Sequence, residues 1–273
     1  MPRLLDNRWL RSIAEDEATK TWVDMICEDQ QILHASRSVM NDRSRLCLHL
    51  DGMKLILERE SAAPVLEVMQ ELHEFDLIPG SVECGQSTFV DVGANVGLFT
   101  LLCHRRNPNA QFYCFEPDPI SFEILEQNVL LNNVSNIELF RIAVGRREAK
   151  EPFARCRQIP TISGKGIREI ERPWLNDEWI EEIVVESAPL DLCLASCDGE
   201  FRYVKIDVEG SECDVIAGAQ NVLRRSRLVR IEAHSVDAER VVRQELFEIG
   251  FRLSKRIESG GNGQYVELIF ARD

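Results

Sequence analysis

The sequence predicts an α/β fold built on a mainly parallel sheet with helices on both faces. Three observations point there. From residue 88 onward, short apolar strands alternate with helical patterns, the order that gives parallel strands joined by helical crossovers. Stretches such as TFV and AQFYCF are apolar at consecutive positions, as strands buried on both faces must be. The first strand runs into a glycine-bearing turn, DVGANVG at 91–97, at the strand end where open parallel sheets bind ligands.

Each element follows in order. Residues 1–40 are charged and helix-compatible, with Trp9, Ile13, Trp22 and Ile26 as buried points. LCLHL and MKLILE flank Asp51-Gly52, a hairpin signal because both turn positions need φ > 0. VLEVMQELHEFDL, at 65–77, has helical spacing and stops at Pro79-Gly80. Residues 1–80 therefore read as an N-terminal appendage or lid, and 81–273 as the main domain. There TFVDVG is a strand, GLFTLLCHRR a helix closed by Asn107-Pro108, AQFYCFEP a strand and ISFEILEQNVLLNN a helix capped by Asp118. IELFRIAVG reads as a single third strand. FRYVKIDVEG is the fourth, SECDVIAGAQNVLRRS one helix, LVRIEAHS a strand, AERVVRQELFEIG a helix, and FRLSKRI and QYVELIFAR the last strands. The turn Gly260-Gly261-Asn262-Gly263 makes these two a hairpin, so the closing strand should run antiparallel. Residues 155–186, with Trp174 and Trp179, break the alternation. They read either as a solvated amphipathic segment or as a substrate-facing lid.

Composition narrows the function. Thirty-two Lys and Arg against 46 Asp and Glu give a net charge of −14. That argues against nucleic acid, whose affinity rests on phosphate neutralisation. Arg224, Arg225, Arg227 and Arg230 read as a solvated helix end. Nine cysteines without a CxxC pair point to a reducing compartment. No signal-peptide pattern and no membrane-length apolar run occur, so a cytoplasmic location without membrane contact is expected. The apolar hairpin at 46–58 is a candidate for pairing between subunits, which keeps a homo-oligomer open.

The turn D-x-G-x-N-x-G lacks the third glycine of a dinucleotide fingerprint, and Asp91 would repel a diphosphate. An acid there suits a cationic, phosphate-free nucleoside such as S-adenosylmethionine (SAM). Glu116, in CFEPD, ends the next strand, where a carboxylate can accept both ribose hydroxyls. Ala143, Val144 and Gly145, at the third strand end, could lie against an adenine or simply pack in the core. In YVKIDVEGSE, Lys205, Asp207 and Glu209 alternate and so share one face. Ser211 with Asp214 matches a capping box, and Glu212 suits a first helical turn. In RIEAHS, Glu232 and His234 share a face of the adjoining strand. Asp207, Glu209 and His234 have the chemistry of a metal site, but their spacing fixes none, and no metal is expected.

FVDVGANVGLFT, CFEPDPISFEILEQNVLLNN, the IAVG strand end, PLDLC and above all VKIDVEGSECDVIAGA together resemble the FkbM-type SAM-dependent methyltransferases. The resemblance covers roughly 74–235. It implies a class I methyltransferase, Rossmann-like fold with a seven-stranded sheet whose last strand is reversed. It implies SAM as methyl donor, with Asp91, Gly93, Asn95 and Gly97 at the methionine end, Glu116 and Pro117 at the ribose, Ala143 and Val144 near the adenine, and Asp207 beside the cofactor. Many relatives methylate hydroxyls of sugars or natural products, so the expected partner is a small-molecule acceptor. His234 or Asp207 is expected as general base, with Lys205, Glu209 and Glu232 ordering the pocket. A nicotinamide-dependent oxidoreductase and a non-catalytic SAM-binding protein are the alternatives.

Overall fold

A computed structural model describes residues 5–36, 45–80, 87–156, 162–167, 170, 175–259 and 265–272. The N-terminal part has helices α1 (Asn7–Ile13) and α2 (Glu17–Ser36), strands β1 (Arg45–Leu50) and β2 (Met53–Glu58), and helix α3 (Arg59–Glu74). The main domain runs β3 (Thr88–Val92), α4 (Leu98–Arg106), β4 (Gln111–Phe115), α5 (Pro119–Leu131), β5 (Ile137–Phe140), β6 (Ala143–Val144), β7 (Ala149–Cys156), β8 (Ile180–Ala188), α6 (Leu190–Cys193), β9 (Phe201–Ile206), α7 (Glu212–Ala217), α8 (Gln220–Arg224), β10 (Ser226–Ala233), α9 (Val236–Glu248), β11 (Arg252–Ser259) and β12 (Tyr265–Ala271).

Seven strands form one sheet in the order β11-β12-β10-β9-β3-β4-β5. The pairs β3–β4, β3–β9, β4–β5 and β9–β10 are parallel, whereas β12 runs antiparallel to both neighbours. This is the class I methyltransferase arrangement, with the reversed strand slotted between β10 and β11. The glycine turn thought to join those strands falls at 260–263, outside the described residues, as does Trp174. The chain leaves β3 toward β4 on one side, while β9 pairs on the other. The β3/β9 boundary is therefore the switch point where such sheets open a crevice.

Alternate residues of each strand serve opposite cores. Phe89, Phe112 and Tyr203 pack with Leu101, Leu125 and the N-terminal Leu48, Leu55 and Leu66. Val90, Val204, Ile206, Val229 and Ile231 pack on the other face with Val215, Leu246 and Phe270. The hairpin forms where expected, with Asp51 at φ 49° and Gly52 at φ 76°. Its outer edge is held by two asparagines one helical turn apart, Asn128 in α5 and Asn132 at its C-cap. Asn128 accepts from Ile56 N–H at 2.6 Å and donates to Ile56 C=O at 3.1 Å; Asn132 does the same at Lys54, at 2.9 and 2.6 Å. The other edge meets Ala14 and Thr19. Side chains thus complete hydrogen bonds that an open strand edge leaves unpaired, and both edges of the ribbon are taken by its own chain.

Four details depart from the sequence reading. IELFRIAVG is not one strand: it breaks at Arg141, and β6 leaves the main sheet to pair with β8. Ala149–Cys156 and Ile180–Ala188 form a ribbon, β7 against β8, in a second sheet of order β6-β8-β7. The alternating IEEIVVESA buries Val185 and Ser187 and exposes Glu182, Val184 and Glu186, so both ends of the apparent insertion, 155–156 and 180–186, are strand. The third helix begins at Arg59 rather than near residue 65. Finally, SECDVIAGAQNVLRRS makes two short helices, and Gly218 between them passes Gly145 so closely that a Cβ would lie 2.0 Å from its carbonyl oxygen.

Candidate active site

The turn after β3 sets the crevice floor. Gly93, Asn95 and Gly97 all take positive φ, at 77°, 50° and 88°. A Cβ on Gly93 would sit 1.8 Å from Asp207 C=O, so only glycine lets this turn cross the end of β9. Gly93 and Ala94 donate to Phe115 C=O at 3.0 Å each. Glu116, 5% exposed, accepts from Asn95 N–H and Asp118 N–H, both at 2.8 Å. Burial pushes its carboxyl up to about 8 despite those two bonds. Asp118 caps α5 through Ile120 and Ser121 N–H, as expected, and is also paired with Arg155. Pro117 is half-buried, whereas Ala143 and Val144 are buried at the start of the second sheet.

Asp91 does not face the crevice. It is 2% exposed, accepts from Thr100 Oγ1 at 2.8 Å, and lies 3.2 Å from Lys205 Nζ. Lys205 donates to Gly93 C=O at 2.6 Å and lies 3.3 Å from Asp207. Burial alone would lower this ammonium, but Asp91 and Asp207 more than offset it and hold it above its ordinary range. The acid of the turn therefore anchors a lysine that ties the turn to β9. The sequence reading, in which Asp91 meets the ligand's charge, is corrected on this point.

Beyond β9 the chain turns sharply, Glu209 at φ 52° and Gly210 at φ 95°. His234, at the end of β10, gathers three carboxylates. Nδ1 is 2.7 Å from Glu212 Oε1, and Nε2 is 3.2 Å from Glu209 and 3.0 Å from Glu232. Burial would depress the imidazole, but these carboxylates more than compensate and keep it well above 6.5. Burial raises Glu232 well above its ordinary value, with Asp207 adding to the shift. Burial also raises Asp207, although Lys205 pulls it back.

The structure thus brings Lys205, Asp207, Glu209, Glu232 and His234 together beside the turn. Several residues were missed or misassigned from sequence. Glu212 is the direct partner of His234, and the Ser211 cap is absent: Ser211 makes no side-chain capping bond, while Glu212 Oε1 accepts from Gly210 N–H at 2.8 Å. Tyr265 of β12 packs its ring 5.6 Å from the imidazole. Arg230 is not part of a solvated basic end; it is buried in a two-pronged pair with Glu267. Residues 164–166 of the apparent insertion lie against Glu209-Gly210, with Gly166 N–H donating to Glu209 C=O at 3.2 Å and room for no Cβ at either glycine. Residues 164–166 therefore cover this end of the cluster.

These features fit an adenosine cofactor without phosphates. Glu116 closes the second strand beside a glycine turn, and Lys205 points inward to Asp91, Asp207 and Gly93 C=O rather than toward a phosphate. No helix among the described residues is long and apolar enough to cross a membrane.

Comparison with known proteins agrees. Methyltransferase 1 of Beauveria bassiana is 29% identical over 144 residues, 48% of this chain and 58% of that protein, so the match spans less than two thirds of its length. 2-O-methyltransferase NoeI of Sinorhizobium fredii is 26% identical, over 67% of this chain and 79% of that protein. 31-O-demethyl-FK506 methyltransferase FkbM of Streptomyces tacrolimicus is 29% identical, over 60% of this chain and 70% of that protein. Among solved structures, the METTL16 MTase domain shares the fold with a TM-score of 0.50 at 13% identity, over 92% of this chain and 80% of that one. The model of the methyltransferase FkbM domain matches residues 91–253. The chain therefore belongs to the FkbM family of SAM-dependent methyltransferases, and family and fold together imply SAM as its cofactor.

Proposed function

We propose that this protein methylates a hydroxyl group on a small molecule, of the sugar or natural-product type. The observation that carries the reading is the placement of Asp207, Glu209, Glu232 and His234 in one group beside the glycine turn and Glu116. O-methylation is also what the names of two relatives state of those proteins. SAM, when bound, supplies an electrophilic methyl group on a sulfonium. Glu116 would accept the ribose hydroxyls, with Pro117 beside it, and Ala143 and Val144 would border the adenine. Of the two candidate bases, Asp207 is the better placed. Its side chain is 26% exposed, whereas that of His234 is 1% exposed and enclosed by carboxylates. Asp207 takes the hydroxyl proton, Lys205 holds Asp207, and Glu212 holds the His234 imidazole beside Glu209 and Glu232. An oxidoreductase reading lacks a phosphate-binding turn, and a non-catalytic reading leaves the carboxylate group without a task.

The test is incubation with methyl-labelled SAM and fractionated metabolites of the native host, with mass spectrometry of the product. Once an acceptor is found, Asp207→Asn should lower kcat by about 10²–10⁴-fold, the usual contribution of a positioned base. SAM affinity by calorimetry should persist. Wild-type turnover in both Asp207→Asn and His234→Ala sinks the assignment; tight NAD binding without a response to SAM sinks the reaction class.

A further inference from the structure

We infer that Glu209, Glu232 and His234 form a binding site for one divalent transition-metal cation at the carboxyl ends of β9 and β10. The argument starts at the imidazole. Glu212 Oε1 already accepts from Gly210 N–H, and a carboxylate has no hydrogen to give, so His234 Nδ1 carries a proton and donates it at 2.7 Å. Nε2 then points at Glu209 Oε2 and Glu232 Oε1, 3.2 and 3.0 Å away. The atom is buried and makes no hydrogen bond to either, or to any other described residue. A nitrogen and two carboxylate oxygens thus converge with nothing suitably aimed between them.

A second proton on Nε2 relieves this only in part. One N–H cannot point at two carboxylates, and here it is aligned with neither. The charges also fail to balance: Asp207, Glu209, Glu212 and Glu232 are four acids against Lys205 and His234. A dication in place of that proton satisfies all three convergent atoms and halves the formal excess of negative charge. The Glu212–His234 contact is the kind of outer contact that fixes a metal-ligating imidazole, holding one nitrogen so that the other presents its lone pair.

Size and access agree. One ligand atom from each of Asp207, Glu209, Glu232 and His234 lies within 4.8 Å of the others. Neighbouring ligands of an ion bound at about 2.0–2.2 Å stand about 3–3.5 Å apart, which is the spacing of Nε2 from the Glu209 and Glu232 oxygens, 3.2 and 3.0 Å. Glu209 and His234 are buried, whereas Asp207 and Glu232 are partly exposed. The ion therefore enters from the Asp207 side and keeps positions open there for water or an acceptor oxygen. Asp207, at that rim, remains free to take a proton. One imidazole with carboxylates suits manganese, iron(II) or zinc better than magnesium or calcium. The use of the ion in methyl transfer rests on the function proposed above; its binding does not.

The test uses the full chain without SAM, titrated with MnCl2 and followed by calorimetry and by loss of the free-manganese electron paramagnetic resonance signal, with a parallel zinc titration. One ion per chain is expected. Glu232→Gln, the mildest change because the side chain is partly exposed, should weaken binding at least tenfold, and Glu212→Gln by about 10–100-fold, as for other outer-contact losses. Glu138→Gln, exposed on β5, should leave affinity unchanged. Circular dichroism confirms that each variant is folded. Absence of saturable binding of both ions by the wild-type protein overturns the proposal, as does wild-type affinity in both Glu232→Gln and Glu209→Gln. SAM is titrated separately. A SAM response without ion binding removes the ion and keeps the methyltransferase reading; ion binding without a SAM response does the reverse.

Discussion

Lys205→Met removes one ammonium and keeps most of the apolar stem. In the wild type, Nζ donates to Gly93 C=O at 2.6 Å and lies 3.2 Å from Asp91 and 3.3 Å from Asp207. The side chains of Lys205 and Asp91 are 6% and 2% exposed, so Asp91 would be left charged in a place water cannot reach. Removing one partner of a buried pair costs about 3–5 kcal/mol, mainly for the stranded charge. Asp207, 26% exposed, adds little because solvent screens it. At about 2–4 °C per kcal/mol for a chain of this order, the melting temperature should fall by roughly 6–20 °C. The decisive comparison is with Asp91→Asn and the double variant. With no charge left at 91, the double variant should lose at least about 1 kcal/mol less than the sum of the single losses. Urea unfolding of the four proteins at pH 7 measures this. A Lys205→Met variant within about 1 kcal/mol of wild type, or strictly additive losses, would refute the view that the turn is held by a buried charge pair.

Three further outcomes follow from the same geometry. Glu116 is held up to about 8 in the folded protein by burial, against an ordinary 4.5. Between those values the native state keeps a proton that the unfolded chain has lost, so stability falls as pH rises through this window and levels off above it. Wild type should therefore lose about 1.4 kcal/mol per pH unit more than Glu116→Gln between pH 6 and 7.5, with no difference in slope at pH 9; parallel slopes in urea unfolding would count against it. Asn128→Ala should cost about 1–3 kcal/mol, since it leaves the buried Val96 C=O and the half-buried Ile56 N–H and C=O without their partner; fast hydrogen exchange at Ile56 is the local readout, and full protection there would show that the clamp is not needed. Gly93→Ala places a methyl group 1.8 Å from Asp207 C=O at φ 77°. It should lower the melting temperature and cut SAM affinity more than tenfold by calorimetry, and a neutral result would mean the turn is not packed as described.

What could be read from sequence was what periodicity and turn chemistry encode locally. The Asp51-Gly52 hairpin, the Asp118 cap and the strand–helix alternation all hold. Partner choice was not legible. IEEIVVESA shows its alternation openly, yet nothing local says that it pairs with Ala149–Cys156 and with Ala143-Val144. Ser211 satisfies a capping pattern, but a buried histidine 22 residues away draws Glu212 inward, and Glu212 takes the nearby Gly210 N–H instead. Asp91 looked like a ligand group because strand ends face crevices; one residue of register decides, and it pairs across with Lys205, inside the turn.

That register also separates two layers of charge. Asp91 pairs in register with Lys205, and Lys205 with Arg230. With Glu267 on Arg230, this inner layer holds two acids and two bases, each in contact with an opposite charge. Two residues further along the strands come Asp207, Glu232 and, beyond them, Glu209 and His234, where acids outnumber bases. A balanced layer can be buried at modest cost, whereas an unbalanced one is costly unless solvent or a bound cation compensates it. The imbalance lies at the crevice rim, where Asp207 and Glu232 reach solvent. Positive charge brought from outside, on a sulfonium or a metal ion, is therefore drawn to this rim and not to the turn beneath it.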